Sequence, residues 1–346
     1  MARHLINATF HSNLTIKIPV KKKLFFALNV VSLLLASQIA NARHAEILID
    51  AENGNVLHEM DATQSWFPAS LTKMMTLYLT FEALNDGEIH LNDRMFASAH
   101  AAHQPQSRLG LHHGQNITVE EAILAVITRS ANDATVVLAE QLAVTEDNFA
   151  IRMTAKAHSL GMYNSYFMNA TGLPNDWQVT TAHDMALLAL KLYHNFPEYY
   201  HYFGEHSFTF KGREMFGINR FTATYDGAEG MKTGFTCNSG YNLVSSAYQN
   251  GRRLIGVVLG GKSSNERYNF MINQMDKGFA GDYNVLTNLG TMPTNSAGLP
   301  PHQLDCASGA ANHEEHEEHH HHHGHKHVAN HSHQTKSHHG RRKNRR

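Results

Sequence analysis

The chain has 346 residues, which allows one large domain or two modest ones. Its formal net charge is −1 at pH 7, so it lacks the overall basic bias of a nucleic-acid-binding protein, and we expect no nucleic-acid partner. The sequence contains no internal repeats, which excludes a repeat architecture.

Residues 1–42 have the pattern of a cleaved secretory signal. A basic run at Lys21–Lys23 precedes an apolar run that begins at Leu24 and ends in Ala40-Asn41-Ala42, small residues in A-x-A order. A membrane-spanning anchor is the alternative, but the apolar run is short for a span and is interrupted by polar residues. We therefore expect cleavage after Ala42 and a periplasmic mature protein.

Export places the chain in an oxidising compartment, where disulfides persist. The expected mature chain contains two cysteines, Cys237 and Cys306. One disulfide and two free thiols are both open at this point. A disulfide would attach the region near the C-terminus to the body of the fold.

The expected mature chain opens with a predicted β-hairpin and a helix. The segments HAEILID and NVLHEM flank Asn53-Gly54, a pair that suits a two-residue type I′ turn. The segment PASLTKMMTLYLTFEALNDG begins at Pro68, has an apolar face that includes Met74 and Leu77, and ends at Gly87. This spacing predicts an amphipathic helix.

Helices fill the middle of the chain and strands return near its end. Thr118 and Glu121 form a capping-box pattern at the start of TVEEAILAVITRS; a break, SAN, follows, and DATVVLAEQLA resumes the helical pattern. TTAHDMALLALKLYHNF is a further predicted helix. After Gly230 the apolar period becomes two, so GMKTGF, GYNLVSSAY and RRLIGVVLG are predicted strands, with a type I′ turn at Asn250-Gly251. NERYNFMINQMDKGF is predicted to form a closing helix.

This order predicts an α+β domain over residues 43–290, an antiparallel sheet flanked by helices with an inserted helical subdomain. We expect the strands from the two ends of the domain to pair in one sheet. Residues 291–346 are predicted to be a linker followed by a disordered, His-rich and basic-ended tail, because they lack the apolar residues that build a core.

The tail has two chemical features. Clusters such as HHHHHGHKH can bind divalent metal ions through neutral imidazoles, and they become cationic in mild acid. The terminal RRKNRR can contact anionic lipid or wall polymer peripherally; a solvated charge run is the alternative. Metal buffering and pH-dependent attachment are both open for the tail.

Ser70 and Lys73 are three residues apart at the start of the first predicted helix. Residues at i and i+3 lie on one helical face, so a neutral lysine can take the proton of the serine hydroxyl as it attacks a carbonyl. Alone, this pattern is weak, since a helix-start serine and a surface lysine account for it equally well.

Two further motifs support the interpretation that Ser70 and Lys73 are catalytic. Ser130-Ala131-Asn132 lies at the break between two helices, and Lys232-Thr233-Gly234 lies on a predicted strand, where the glycine lets a substrate backbone come close. A helix-breaking turn and a solvated strand lysine are the bland alternatives. Together and in this order the three motifs match the S-x-x-K, S-x-N and K-T-G set of penicillin-recognising serine enzymes.

The segments PASLTKMMT, SANDA, NATGLPND, EGMKTGFT and RRLIGVVLGGKSSNER resemble the serine D-alanyl-D-alanine carboxypeptidases, the low-molecular-mass penicillin-binding proteins. The resemblance covers about His44 to Gly278. It implies a β-lactamase/transpeptidase-like fold and removal of the terminal D-alanine from peptidoglycan pentapeptides. It also implies inhibition by β-lactams and no metal or organic cofactor.

Carried over residue by residue, the resemblance implies four roles on the helical side. Ser70 would be the nucleophile that forms the acyl-enzyme, and Lys73 would be its general base. Ser130 would pass a proton to the leaving D-alanine nitrogen. Asn132 would bind the peptide backbone of the substrate.

The strand side would bind the end of the substrate. Lys232 and Thr233 would hold the terminal carboxylate beside Gly234, and the backbone N–H groups of the nucleophile and of Phe235 would form the oxyanion hole. Arg267 would help with the carboxylate, with a helix-start surface arginine as the alternative.

Three other activities stay open. A D,D-endopeptidase of the same superfamily would cut crosslinks. A β-lactamase would need a carboxylate that positions water, and no convincing candidate precedes the third motif. A non-catalytic periplasmic metal-binding protein would use the tail as its working part. Many members of the resembled family also carry a β-rich second domain and a C-terminal amphipathic helix, and neither pattern is evident here.

Overall fold

The computed structural model describes residues 44–295, 299–301, 304 and 306. The predicted signal and nearly all of the predicted tail lie outside these residues, so both stay predictions. Within the described part of the chain, no helix has the length and apolar content needed to cross a membrane.

Ten strands and nine α-helices build the described domain. The strands are β1 (Ala45–Asp50), β2 (Asn55–Met60), β3 (Arg94–Phe96), β4 (Asn116–Thr118), β5 (Ser207–Phe210), β6 (Arg213–Phe216), β7 (Ala228–Thr236), β8 (Gly240–Gln249), β9 (Arg252–Gly261) and β10 (Thr287–Asn288). The helices are α1 (Lys73–Asn85), α2 (Ala99–Ala102), α3 (Val119–Arg129), α4 (Asn132–Ala143), α5 (Glu146–Ser159), α6 (Ala182–Asn195), α7 (Pro197–Tyr200), α8 (Arg220–Thr224) and α9 (Ser264–Ala280). Short 3₁₀ turns cover Ala69–Thr72, His201–Gly204 and Leu289–Thr291.

The main sheet is antiparallel and has the strand order β10-β2-β1-β9-β8-β7. The first strand pairs with one of the last, since Ile47 lies opposite Val257, which confirms the predicted pairing of the domain ends. Because successive residues of a strand point to opposite faces, the two sides of the sheet bury different residues. Strand β7 forms one edge of the sheet.

Each face of the sheet is covered by helices. Leu48 and Leu254 belong to a buried cluster with Met271 and Met275 of α9, whereas α6 packs against β1 and β9 on the helical side. Each of these apolar side chains contributes about 1.5–3 kcal/mol when fully buried. The predicted α+β architecture, with a helical insertion between β2 and β7, is therefore confirmed.

Helix α1 lies inside the helical subdomain, in contact with α4, α5 and α6. From Lys73 to Leu84 every residue except Glu82 is buried, so the prediction of an amphipathic helix was wrong. Because other helices pack against α1 on several sides, the helix has no face exposed to solvent. The same segment begins with a 3₁₀ turn, so Ser70 precedes the α-helix and Lys73 is its first residue.

The two hairpin turns differ from each other. At Asn250-Gly251 both residues have positive φ, as a type I′ turn requires. At the first hairpin only Gly54 does, and its N–H donates to the carbonyl of Asp50 across a four-residue connection. The predicted two-residue type I′ turn at Asn53-Gly54 was therefore wrong.

A disulfide joins Cys237, just after β7, to Cys306, with 5.8 Å between their Cα atoms. The backbone N–H of Leu304 also donates to the carbonyl oxygen of Cys237 at 2.9 Å. Of the two states left open for the cysteines, the structure contains the bonded one. The start of the predicted tail is thus attached to the end of an edge strand.

Candidate active site

Ser70 lies in the 3₁₀ turn that precedes α1, and Lys73 is the first residue of that helix. The Lys73 Nζ donates to Ser70 Oγ at 3.0 Å and to the carbonyl oxygen of Thr171 at 2.5 Å. Lys73 is fully buried, whereas Ser70 is half-buried. The serine hydroxyl is thus available to a substrate and the lysine behind it is not.

Close backbone packing fixes the position of Ser70. Ala69 has a φ of +48°, a conformation that side-chain-bearing residues rarely adopt. A Cβ on Gly172 would lie 1.9 Å from the Ala69 carbonyl oxygen, and one on Gly234 would lie 3.1 Å from the Ser70 nitrogen. Glycine at these two positions lets a loop and β7 press against the serine backbone from two sides.

Asn242 connects this turn to the sheet. Its side-chain amide donates to the carbonyl oxygens of Phe67 and Pro68 at 3.0 and 3.2 Å, and its amide oxygen accepts from the Gly260 N–H at 2.9 Å. Asn242 is fully buried. The segment before the serine is thereby held to β8 and β9.

The surroundings of Lys73 favour its neutral form. Burial, and next the positive charge of Lys232, hold the pKa of Lys73 well below its usual range, while Glu146 opposes this shift. An ordinary lysine, with a pKa of about 10.4, is almost fully protonated at neutral pH. The lowered pKa lets the Lys73 amine accept a proton from the serine it contacts.

Ser130 and Lys232 meet across the cleft. The Lys232 Nζ donates to Ser130 Oγ at 3.0 Å and to the carbonyl oxygen of Thr233 at 2.9 Å. Ser130 has a φ of +54° at the end of α3, a strained conformation that turns the chain between α3 and α4. Burial, and next the nearby Arg267, lower the pKa of Lys232 to about 7.

Asn132 and Asp133 hold a loop at the rim of the cleft. The Asn132 side-chain amide donates to the Pro105 carbonyl oxygen at 3.0 Å. The buried Asp133 carboxylate accepts backbone N–H groups from Leu109, Gly110 and Leu111 at 2.7–2.9 Å. Asn132 lines the cleft, and Asp133 fixes the loop in front of it.

Arg267 is buried, so the alternative of a surface arginine was wrong. Its guanidinium donates to Tyr268 Oη at 3.1 Å and to Ser264 Oγ at 3.3 Å, and its central carbon lies 5.3 Å from the ring centroid of Tyr241. Its buried Nε has no hydrogen-bond partner among the described residues. A buried cation at a cleft wall is suited to an anionic ligand.

One cleft of about 380 Å³ brings these groups together. Its walls contain Ser70, Ser130, Asn132, Thr233, Gly234, Phe235 and Arg267, while the two lysines lie beneath the serines that they contact. Every residue predicted for the site from the sequence is therefore at this cleft. The individual roles of these residues stay predictions.

Three contributors to the site were not predicted from the sequence. Asn242 and Asp133 fix backbone around the cleft, and Glu146 lies behind Lys73, where its carboxylate accepts from the Ala170 N–H at 2.9 Å and contacts His100 at 2.6 Å. A signal was present for Glu146, since Thr145 caps the helix that this glutamate begins. Among the cleft-lining residues that the structure describes, none is an aspartate or a glutamate.

A family model described as D-alanyl-D-alanine carboxypeptidase matches residues 34–263. The D-alanyl-D-alanine carboxypeptidase DacF of Bacillus subtilis is 34% identical over 250 residues, 70% of this chain and 64% of that protein. DacC of Escherichia coli, of the same printed name, is 39% identical over 232 residues, 65% of this chain and 58% of that protein. The chain thus spans about three-fifths of the length of these curated relatives.

Solved structures show the same fold. Penicillin binding protein 5 from Haemophilus influenzae superimposes with a TM-score of 0.66 and 33% identity, over 68% of this chain and 70% of that one. Penicillin-Binding Protein D2 from Listeria monocytogenes, in an ampicillin-bound form, gives a TM-score of 0.60 and 30% identity, over 68% and 96%. The fold described above is therefore that of penicillin-binding proteins.

Proposed function

The chain belongs to the D-alanyl-D-alanine carboxypeptidase family, and on that premise we propose that it is a serine D,D-carboxypeptidase. It removes the terminal D-alanine from peptidoglycan pentapeptides through an acyl-enzyme on Ser70, and β-lactams acylate the same serine. The observation that carries this proposal is the 3.0 Å contact between Ser70 and the buried Lys73. The names of the relatives support the substrate class.

The first half of the reaction forms the acyl-enzyme. Neutral Lys73 takes the hydroxyl proton as Ser70 Oγ attacks the carbonyl carbon of the scissile amide. The backbone N–H groups of Ser70 and Phe235 bind the developing oxyanion. The amide C–N bond then breaks as Ser130 gives its proton to the leaving nitrogen and takes the proton held by Lys73, and D-alanine departs.

The second half restores the enzyme. Water attacks the ester carbonyl as neutral Lys73 takes one of its protons, the Ser70 Oγ–acyl bond breaks, Ser70 regains that proton from Lys73, and the shortened peptide leaves. Lys232, Thr233 and Arg267 recognise the terminal carboxylate before cleavage, because Thr233 and the buried Arg267 line the cleft and the Lys232 Nζ lies beneath Ser130 at its wall. Asn132 binds the peptide backbone. No metal or organic cofactor has a step in this scheme.

Labelling with a fluorescent penicillin tests the nucleophile. We expect covalent label on the wild type and on Ser159→Ala, an exposed serine of α5, and none on Ser70→Ala. Label that survives in Ser70→Ala would assign the chemistry to another group. No label on any form would favour the non-catalytic binding protein.

Product analysis separates the related activities. Release of D-alanine from pentapeptides supports a carboxypeptidase, whereas release of monomers from crosslinked dimers supports an endopeptidase. Fast penicillin turnover would point to a β-lactamase. The described cleft lining contains no carboxylate to position water, which supports slow turnover.

The proposal extends to the location of the protein. Residues 1–42 act as an export signal, residues 43–290 form the enzyme domain, and the mature protein works in the periplasm, where its substrate lies. The support is the sequence pattern of the signal and the disulfide, which requires an oxidising compartment. N-terminal sequencing of the periplasmic protein tests this, with Arg43 expected as the first residue.

The His-rich tail is proposed to bind divalent metal ions, and its basic end to contact anionic membrane or wall polymer. The support is composition alone. Titration calorimetry with Zn²⁺ compares the whole chain with one that stops after Ser308, which keeps the disulfide. Equal heats for both would remove the metal role, and equal sedimentation with anionic vesicles would remove the contact role.

A further inference from the structure

The edge of β7 sets the direction in which a substrate peptide runs, given the proposed function. The terminal carboxylate is recognised at Lys232 and Thr233, and the scissile carbonyl lies beside Gly234, where the backbone of Ser70 is closest. The rest of the peptide must then extend toward Cys237. It therefore runs antiparallel to β7, along the open edge of the sheet.

Alternation along the strand decides which backbone groups face this edge. Successive residues direct their N–H and C=O groups to opposite sides, so every second residue faces the cleft. The proposed oxyanion hole requires Phe235 to face it. Cys237 comes two residues later, in the turn just after β7, and it lines the cleft, so its carbonyl is the next acceptor that we expect an extended substrate to meet.

That acceptor is already occupied within the chain. The Leu304 N–H donates to the Cys237 carbonyl oxygen at 2.9 Å, and the disulfide from Cys237 to Cys306 holds the same segment in place. We call Leu304 and Cys306 the tail root. Cys237 itself is one of the residues that line the cleft, so the tail root lies at the rim of the site.

We propose that the tail root closes the end of the groove that would receive the N-terminal part of the substrate. It would thereby determine the specificity of the enzyme for peptide length. A substrate can pair with β7 next to the scissile bond, but its amide two positions earlier meets the Leu304 backbone, which already donates to the Cys237 carbonyl oxygen. The wild-type enzyme should therefore bind a longer peptide little more tightly than a shorter one. The disulfide keeps Leu304 in place, because a tethered segment has a high effective concentration at its binding position.

Two substrates of matched chemistry test this. N-acetyl-Lys-D-Ala-D-Ala ends before the blocked position, and N-acetyl-Ala-Ala-Lys-D-Ala-D-Ala extends past it. In Cys306→Ser, kept reduced to protect the Cys237 thiol, we expect the KM of the longer peptide to fall about fivefold, the value of roughly one net backbone hydrogen bond. The KM of the shorter peptide and the rate of penicillin acylation should stay within about twofold of wild type.

A second pair of variants keeps the disulfide. Leu304→Pro removes the competing N–H, because proline has none, and should reproduce the fall in KM for the longer peptide. Leu304→Ala keeps the N–H and should behave like wild type. Thermal unfolding of each variant confirms that it is folded at the assay temperature.

The outcomes separate this inference from the proposed function. A constant ratio of KM values for the two peptides across all variants would overturn the closing role. A rise in KM for the longer peptide would also overturn it, since the tail root would then be a contact for the substrate. Penicillin label that does not depend on Ser70 would instead contradict the proposed function itself.

Discussion

The first turn of α1 and the strand β7 each bury a lysine at the same cleft, yet the two lysines have different surroundings. Lys73 contacts a hydroxyl and a backbone carbonyl, and the charge of Lys232 adds to burial in lowering its pKa. Lys232 also contacts a hydroxyl and a carbonyl, but the nearby charge that lowers its pKa is Arg267.

The positive charge of Lys232 also affects the protonation of Lys73. Two ammonium ions buried close together repel each other, so one amine is neutral over part of the pH range. The contact between Lys73 and Ser70 supports the proposed role of Lys73 as the base, and its lowered pKa agrees with that role. The contact of Lys232 with Ser130 at the cleft supports its proposed role in attracting the substrate carboxylate. Similar contacts thus support two distinct chemical roles.

Removing the proposed base has the largest expected effect. Lys73→Met keeps an unbranched side chain but has no amine, so acylation by penicillin should slow by about 10²- to 10⁴-fold, the usual contribution of a general base. Time-resolved penicillin labelling measures this rate. Lys156→Met, which changes a half-buried lysine of α5, is the matched control and should label at the wild-type rate. A loss below tenfold in Lys73→Met would contradict the role of base.

Removing the proposed anchor has a smaller and more selective effect. Lys232→Met should lower kcat/KM by about 10- to 100-fold for peptides with a free C-terminal carboxylate, the value of a charge-assisted hydrogen bond. Amidated peptides lack that carboxylate and should lose much less. Parallel kinetics on the two peptides decide the matter, and equal losses would remove the carboxylate role.

The pH dependence of kcat/KM should report the protonation of both lysines. As pH falls through the lowered pKa of Lys73, the base becomes protonated and the rate drops for every substrate. As pH rises through about 7, Lys232 loses its charge, and kcat/KM should drop by up to about tenfold per pH unit for peptides with a free carboxylate. An amidated peptide should lack this alkaline decline. Identical alkaline limbs for both peptides would show that Lys232 does not cause it.

Much of the site was predictable because its chemistry is carried by short motifs. Ser70 and Lys73 are neighbours through local helical geometry, so a four-residue motif is enough to locate both. The contact of Lys73 with the Thr171 carbonyl spans 98 positions and involves a backbone atom, so no residue type marks it. Asn242 is similar, since its partners are backbone groups of Phe67 and Pro68.

The fold shows the same division. Long periodic segments such as β8, β9 and α9 were located from their apolar spacing. Helix α5 was missed although Thr145 caps it, because its apolar residues are few and only one side is buried. The first hairpin was misassigned because Asn53-Gly54 satisfies the sequence rule for a type I′ turn, while the observed hydrogen bond selects a longer connection.

Substitution of Glu146 should change the pKa of Lys73 while both lysines stay in place. Its carboxylate raises the pKa of Lys73 against the effects of burial and Lys232, so Glu146→Gln should move the acid limb of penicillin acylation to lower pH. The amide oxygen of glutamine can still accept from the Ala170 N–H, which keeps the loop in place. We expect acylation below neutral pH to become a few-fold faster, the smallest of these effects.

Glu140→Gln is the matched control, because Glu140 lies on α4 and contacts Ser98 rather than the cleft. Its acylation profile should overlay that of the wild type. An acid limb that moves to higher pH in Glu146→Gln would mean that the variant has lost the support of the Ala170–Gly172 loop instead of a charge. The direction of the shift therefore distinguishes an electrostatic role of Glu146 from a purely structural one.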